Sequence, residues 1–327
     1  MIEFALTEEQ TLVVEMAKNF ATRELRPNIR IHEDHGVSSA VRTTAKSAGL
    51  AELWTESDTD LITRCVAAEE LAFGDAGAAL VLIGPALASA VVGRLGIDAK
   101  DVDALHVHEG AAPNAIAWLP IRGNGSETEP QAKILQLNRE SQWRVVIVKA
   151  EPIQAIGLHA AGGAKCTVID TVAAGEAGDR GPLAIAEARI AVASMLVGTA
   201  RASLEYVSNY VQERTTFGKR LADHQGVAFI VADVAMATHA ARMMVQRGAI
   251  ALASGDPSGA AHAFVEAHAA ALFAVERGVQ MLGGHGYLKD HPVEKFMRDA
   301  RALALYAGGR DIAAEDSEHN AWETRWV

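Results

Sequence analysis

From about residue 186 to 282, apolar residues recur at steps of three and four, and no other feature of the chain constrains its fold as tightly. Ile190, Ala193, Val197, Ala200, Leu204, Val207 and Val211 form one stripe. Val227, Ile230, Val234, Thr238, Ala241, Val245 and Leu252 form a second, and Phe264, Ala267, Ala271, Val275, Val279 and Leu282 a third. That rhythm returns side chains to one face of a helix, and such a face must be buried against other helices. Asp256-Pro257, flanked by Gly255 and Gly259, separates the second stripe from the third. Three long helices with short links predict an antiparallel bundle, with 292–306 supplying a fourth helix.

The rest of the chain divides around that bundle. Thr7 and Gln10 make a capping box, and Pro27 stops the helix it opens. Leu61 to Phe73 and Gly77 to Leu95 continue the helical character. Residues 105–185 change texture: Gly, Pro and Thr rise, and Ala115–Leu119, Ala132–Leu137, Trp143–Val148 and Cys166–Asp170 read as short strands. GNG at 123–125 is a turn signal, since no GxGxxG opens a helix there. The expected fold is mainly α with a small β-domain: an N-terminal helical domain (1–104), a shortened middle β-domain (105–185) and a C-terminal helical bundle (186–327).

Composition narrows the function. Half the residues are hydrophobic but only 5% are aromatic, as in Ala-rich helical proteins. A net charge of −11 with no basic stripe argues against nucleic acid. Cys65 and Cys166 show no metal-ligand spacing and fit a reducing cytoplasm. The start, MIEFALTEEQ, is too acidic for a signal or transit peptide. Residues 76–93 lack charge but contain Pro85 and much Ala, and are read as a buried helix pair, so no membrane partner is expected.

The third stripe runs into QMLGGHGYLKD, residues 280–290. One glycine suffices to end a helix, so Gly283, Gly284 and Gly286 together suggest close approach by another molecule. This stretch, with ERTTFGKRLADHQGVAFIVADVAMATHAARMM (213–244) and HPVEKFMRDARALALYAGGRDI (291–312), resembles the acyl-CoA dehydrogenases over roughly 186–312. LTEEQ, AGL at 48–50 and EEL at 69–71 are compatible but less specific.

The resemblance implies an N-terminal helical domain, a middle β-domain, a four-helix bundle, and FAD at a subunit interface. It also implies an acyl-CoA substrate and an electron-transfer flavoprotein as acceptor. Within it, Gly283 and Gly284 pack against the adenylate end of FAD held mainly by the neighbouring subunit, and Gln280 supplies an amide. Arg214 supplies a guanidinium for the pyrophosphate region, Phe217 an aromatic wall, and Thr216 and Gln225 lie in the same arrangement. His285 is expected to meet solvent or backbone, and Asp299 and Arg301 to be structural ion-pair members.

The departures are as informative. The family's catalytic Glu sits in a Tyr-Glu-Gly-Thr turn, here Tyr306-Ala307-Gly308-Gly309. Ala307 cannot take a proton. The alternative position, immediately before Arg189, holds Ala188; Glu187 is one residue further back and is the remaining candidate base, otherwise an exposed acid near a helix N-terminus. The Thr-Glu-Pro…Gly-Ser-Asp and Trp-x-Thr segments that grip the flavin are absent, and Trp118 and Trp143 lack the right context. A general base contributes about 10²–10⁴-fold. The reading is a non-catalytic subunit that completes the FAD site of a homologous catalytic partner. Mixed α₂β₂ enzymes of this kind occur in actinobacterial steroid side-chain degradation. The alternatives are a self-sufficient enzyme using Glu187, or a flavin-free scaffold. The tail, AAEDSEHNAWETRWV, docks on a neighbour or is plain surface.

Overall fold

The computed structural model describes residues 5–55, 59–108, 114–118 and 131–323. Helix α1 (Glu8–Phe20) begins at the predicted capping box: Gln10 N donates to Thr7 Oγ1 (3.2 Å) and Thr7 N to Gln10 Oε1 (3.0 Å). The chain continues through a wide turn, Ala21–Leu25, and a tight one at Pro27 into α2 (Ile29–His35) and α3 (Ser39–Ser47). Helix α4 (Leu61–Leu95) is the predicted pair joined end to end, broken at Asp75, whose backbone is extended (φ −161°, ψ 113°). Asp75 caps the second half, accepting from Gly77 N at 3.0 Å.

Five strands form one sheet in the order β1-β3-β4-β5-β2. They are β1 (Ala104–His108), β2 (Asn114–Ala117), β3 (Gln131–Asn138), β4 (Gln142–Ile153) and β5 (Gly163–Glu176). Strands β3 to β5 contain the predicted runs and β2 holds Ala115–Ala117 of the first, with Trp118 beyond its end; Leu119 and the GNG turn lie outside the described residues. The unpredicted β1 pairs parallel with β3, Leu105 opposite Leu135. Alternation divides the sheet's faces: Leu135, Leu137 and Val145 join the helical core, while Ile134, Val146 and Val148 form a smaller core on the other side.

The bundle follows: α5 (Arg180–Glu213), a hairpin of β6 (Thr215–Thr216) and β7 (Lys219–Arg220), α6 (Gln225–Ala253), α7 (Ser258–Leu282), and the short α8 (Val293–Leu303). The sequence stripes are the buried faces of α5, α6 and α7, from Val197 and Ala200 to Val245 and Phe264. The tail contains a further helix, α9 (Gly309–Glu323), held to the body where Asp316 pairs with Arg139 (2.6 Å) and Arg189 (2.7 Å). Helices α4, α5 and α6 are each long and apolar enough to cross a membrane. The apolar windows of α4 and α5 are 78% and 94% buried inside the protein, whereas that of α6 is only 17% buried.

One buried ionic junction ties the domains together. Lys295 of α8 reaches Asp75 Oδ1 at 2.8 Å and Asp299 Oδ2 at 2.6 Å. The other oxygen of Asp75 meets His32 Nδ1 at 3.2 Å, and Asp299 Oδ1 accepts from Leu158 N at 2.7 Å. Asp299 is thus the structural ion-pair member expected, and Arg301 pairs with Glu276 at 2.7 Å.

Candidate functional site: a bundle-end ledge and a chamber beside Ala307

Helix α5 ends where Arg214 leaves the helical conformation (ψ 123°), its N–H still bonded to Tyr210 O. The hairpin then turns through two left-handed residues, Phe217 (φ 52°) and Gly218 (φ 81°), the pattern of a tight two-residue hairpin turn. Phe217 is therefore held at the tip, 98% exposed, with the His224 ring 6.4 Å away edge-on. The Arg214 guanidinium makes no ion pair or hydrogen bond among the described residues. Thr216 sits in the hairpin, half-buried, and Gln225 opens α6, exposed.

The glycine loop lies at the same end. Tyr210, one turn before Arg214, meets His285 Nδ1 through its hydroxyl at 3.1 Å. The His285 ring stacks on His291 (5.4 Å), whose Nδ1 meets the Tyr206 hydroxyl at 2.7 Å. His285 is exposed, as expected, and is also engaged by the Tyr210 side chain. Gln280, Gly283 and Gly284 are exposed beside it.

The three glycines have separate causes, which corrects the single explanation drawn from sequence. Gly283 ends α7 at φ 59°, ψ −133°, a conformation closed to other residues. Gly286 is packed so closely that a Cβ would lie 2.3 Å from Val279 O. Only Gly284 has neither reason: a Cβ there meets nothing within 4 Å, and its φ is not left-handed. Gly286→Ala is accordingly expected to cost about 1–3 kcal/mol, since backbone would have to move. Chemical denaturation of the chain measures it.

At the other end of α5 the predicted catalytic turn is present without its base. Ala307 is buried and left-handed (φ 56°), between Tyr306 and Gly308. It lines a chamber of ≈ 780 Å³ between the sheet and α8, together with Leu105, Val107, Trp118, Met297 and Ala302. No Asp or Glu contributes to that wall among the described residues. Burial lifts the Tyr306 hydroxyl to about 12, and burial beside His108 lowers His106 to about 4. Neither group is matched to proton abstraction near pH 7.

Glu187 does not line that chamber. It is neither exposed nor at the helix N-terminus, because α5 begins at Arg180, two turns earlier. Its carboxylate is 4% exposed and pairs with Arg64 (2.9 Å) and Arg94, facing a separate groove between α4 and α5. Ala188, the other predicted position, is a buried methyl in α5.

The ledge and the chamber differ in their fit to FAD. The ledge offers a guanidinium unpaired among the described residues, an exposed aromatic ring and open space over Gly284, a fit to the phosphate and adenine of a dinucleotide. The chamber offers no such grip: its two cations, Arg298 and Arg301, are bonded to Glu33, Glu294 and Glu276. Sequence reasoning missed the His285–His291–Tyr206–Tyr210 cluster, whose members are too far apart in the chain for spacing to reveal.

Two family descriptions match the chain: "Acyl-CoA dehydrogenase, N-terminal domain" over residues 7–101 and "Acyl-CoA dehydrogenase, C-terminal domain" over 183–320. An acyl-CoA dehydrogenase of Bacillus subtilis is 37% identical over 145 residues, 42% of this chain and 38% of that protein. The mitochondrial short/branched chain specific acyl-CoA dehydrogenase of Rattus norvegicus is 38% identical over 128 residues, 38% of this chain and 30% of that protein. The match thus spans about a third of these relatives' length. Among solved folds, butyryl-CoA dehydrogenase from Megasphaera elsdenii superposes with a TM-score of 0.79 at 20% identity, covering 98% of this chain and 100% of that one. A steroid ACAD named Tcur3481-Tcur3483 (G363A variant) gives 0.76 at 18% identity, over 97% and 98%.

Proposed function

The chain belongs to the acyl-CoA dehydrogenase family, and we propose that within it this protein is the non-catalytic subunit of a heteromeric, FAD-dependent acyl-CoA dehydrogenase. It lends its ledge to the FAD of a homologous catalytic partner. Arg214 pairs with the pyrophosphate, Phe217 walls the adenine side, Gln225 and Gln280 supply amides, Thr216 holds the hairpin, and Gly283 and Gly284 keep the surface low. When bound, FAD supplies a hydride acceptor for the α,β-desaturation of an acyl-CoA. The α-proton is taken by the partner's base, because Ala307 and the other described residues of its chamber supply none. The electrons then pass to an electron-transfer flavoprotein.

The observation that carries this reading is the contrast, among the described residues, between the two ends of α5: an exposed, unpaired Arg214 at one, and a chamber wall without a carboxylate at the other. The thinly covered α6, with Phe229 and Met236 exposed, supports a partner chain against the bundle. A bulky substrate such as a steroid side-chain CoA thioester is supported by the likeness in fold to the steroid ACAD named above.

Co-expression with the catalytic homologue is expected to give a yellow complex with one FAD per two chains, read from the visible spectrum and native mass. Turnover should be abolished by removing the partner's base and unaffected by Glu187→Gln. A yellow, active complex of this chain alone overturns the proposal.

A further inference from the structure

The ledge has two halves that the fold must bring into register. Arg214 and its hairpin continue α5, whereas Gly283 and Gly284 follow α7. The crest of the glycine loop has little packing of its own. No described residue lies within 4 Å of a Cβ placed on Gly284, and Tyr287 and Leu288 are exposed. Gly286 seats the loop's base on Val279. Its flank is held by two tyrosines one turn apart on α5. Tyr210 Oη lies 3.1 Å from His285 Nδ1, and Tyr206 Oη lies 2.7 Å from His291 Nδ1. The two imidazoles stack at 5.4 Å, and Tyr210 meets both edge-on, at 6.5 and 5.8 Å. Arg30 of α2 anchors the cluster again, its Nη2 donating to His291 O at 2.8 Å.

The bundle core does not need these bonds. Tyr206, Tyr210 and His291 are half-buried and His285 is exposed. A hydrogen bond open to water adds little to folding, because water competes for both partners. What it does supply is direction. We infer that Tyr210 and His285 are positioning residues of the ledge: their bond, backed by the Tyr206–His291 pair, sets where the bare backbone at Gly284 stands relative to Arg214. Tyr210 is tied to both halves. Its carbonyl accepts the Arg214 N–H at 2.9 Å, and its hydroxyl holds the residue after Gly284. Recognition of a phosphate by a guanidinium is directional, and such contacts work when the groups behind them hold position to within about 0.5 Å. Both residues act through Arg214 and Gly284, not by touching the flavin. The inference rests on the reading of the ledge given above.

The test is FAD retention by the assembled heteromeric complex, read by equilibrium dialysis, with urea denaturation of each lone variant chain alongside. Tyr210→Phe deletes one oxygen and should weaken retention about three- to tenfold, the range open to one neutral hydrogen bond. His285→Ala should do the same. His285→Asn puts an amide oxygen where Nδ1 stood, still able to accept from the Tyr210 hydroxyl, and should restore most of that loss. The denaturation midpoints of all three lone chains should match that of the unmutated chain. Retention unchanged in Tyr210→Phe and His285→Ala overturns the inference, as does a loss in His285→Asn as large as in His285→Ala. A loss matched by earlier unfolding of the lone chain assigns the pair to folding and overturns it too. An unmutated complex that holds no FAD removes the ledge reading itself, and this inference with it, so the two failures are distinct.

Discussion

Lys295→Ala is expected to lose about 3–5 kcal/mol of stability, more than any other single truncation in the bundle, because it strips the cation from two buried carboxylates. Lys295 is 1% exposed between Asp75 and Asp299. Without it, Asp75 keeps only His32 and its capping bonds, and Asp299 only the Leu158 N–H. Three elements separate in consequence: the kink of α4, the start of α8 and the β4–β5 connection. Urea denaturation measures the loss, and a change under about 1 kcal/mol would show that the junction does not bear this load.

The same junction gives the protein an acid limit. Burial alone would raise the Asp75 carboxyl, but Lys295 and His32 overcome it and hold the group down to about 2. Glu33, likewise desolvated, is held at about 2 by Arg30 and Arg298. Both folded values lie below the unfolded ones of about 4. The stability these groups contribute is therefore complete above about pH 4 and is lost as pH falls from there through about 2. Thermal midpoints taken across that interval should fall steeply, and less steeply in Lys295→Ala.

Arg214→Ala should weaken FAD retention by the heteromeric complex about 10–100-fold, the range set by a charge-assisted hydrogen bond of about 1.5–3 kcal/mol. The chain's own stability should change by less than about 0.5 kcal/mol, because the guanidinium has no partner among the described residues. Gly284→Leu is the companion variant. No described residue opposes a side chain there, so the isolated subunit should fold normally while the complex loses flavin. Equilibrium dialysis against FAD, with denaturation of the lone subunit alongside, reads both. Retention unchanged in both variants contradicts the role given to the ledge.

Much of this was legible in the chain because helical periodicity is local. The stripes through Ile190, Val227 and Phe264 need no knowledge of the partner helix to be read. The capping box at Thr7 and the strand runs at Ala132 and Trp143 are local too. Strand β1 was not visible, because five residues gain their identity from a parallel neighbour 30 residues away. Glu187 was misjudged for a related reason: a one-position offset on a helix places a side chain on another face, and only tertiary packing shows that two arginines wait there. The glycine loop joined three causes into one run of letters. Spacing cannot tell a steric requirement inside the fold, as at Gly286, from an open surface, as at Gly284.

Helix α5 carries Arg189 against the Ala307 turn at one end and Arg214 at the ledge at the other. The 25 residue steps between them span roughly 37 Å at 1.5 Å per residue. At that separation two unit charges interact by only about 0.4 kcal/mol at an effective dielectric of about 20. The rod is thus a spacer: a change of charge at its near tip reaches its far tip with less than about 1 kcal/mol. A chain built this way can have the chamber at one end remodelled and keep the ledge at the other unaltered.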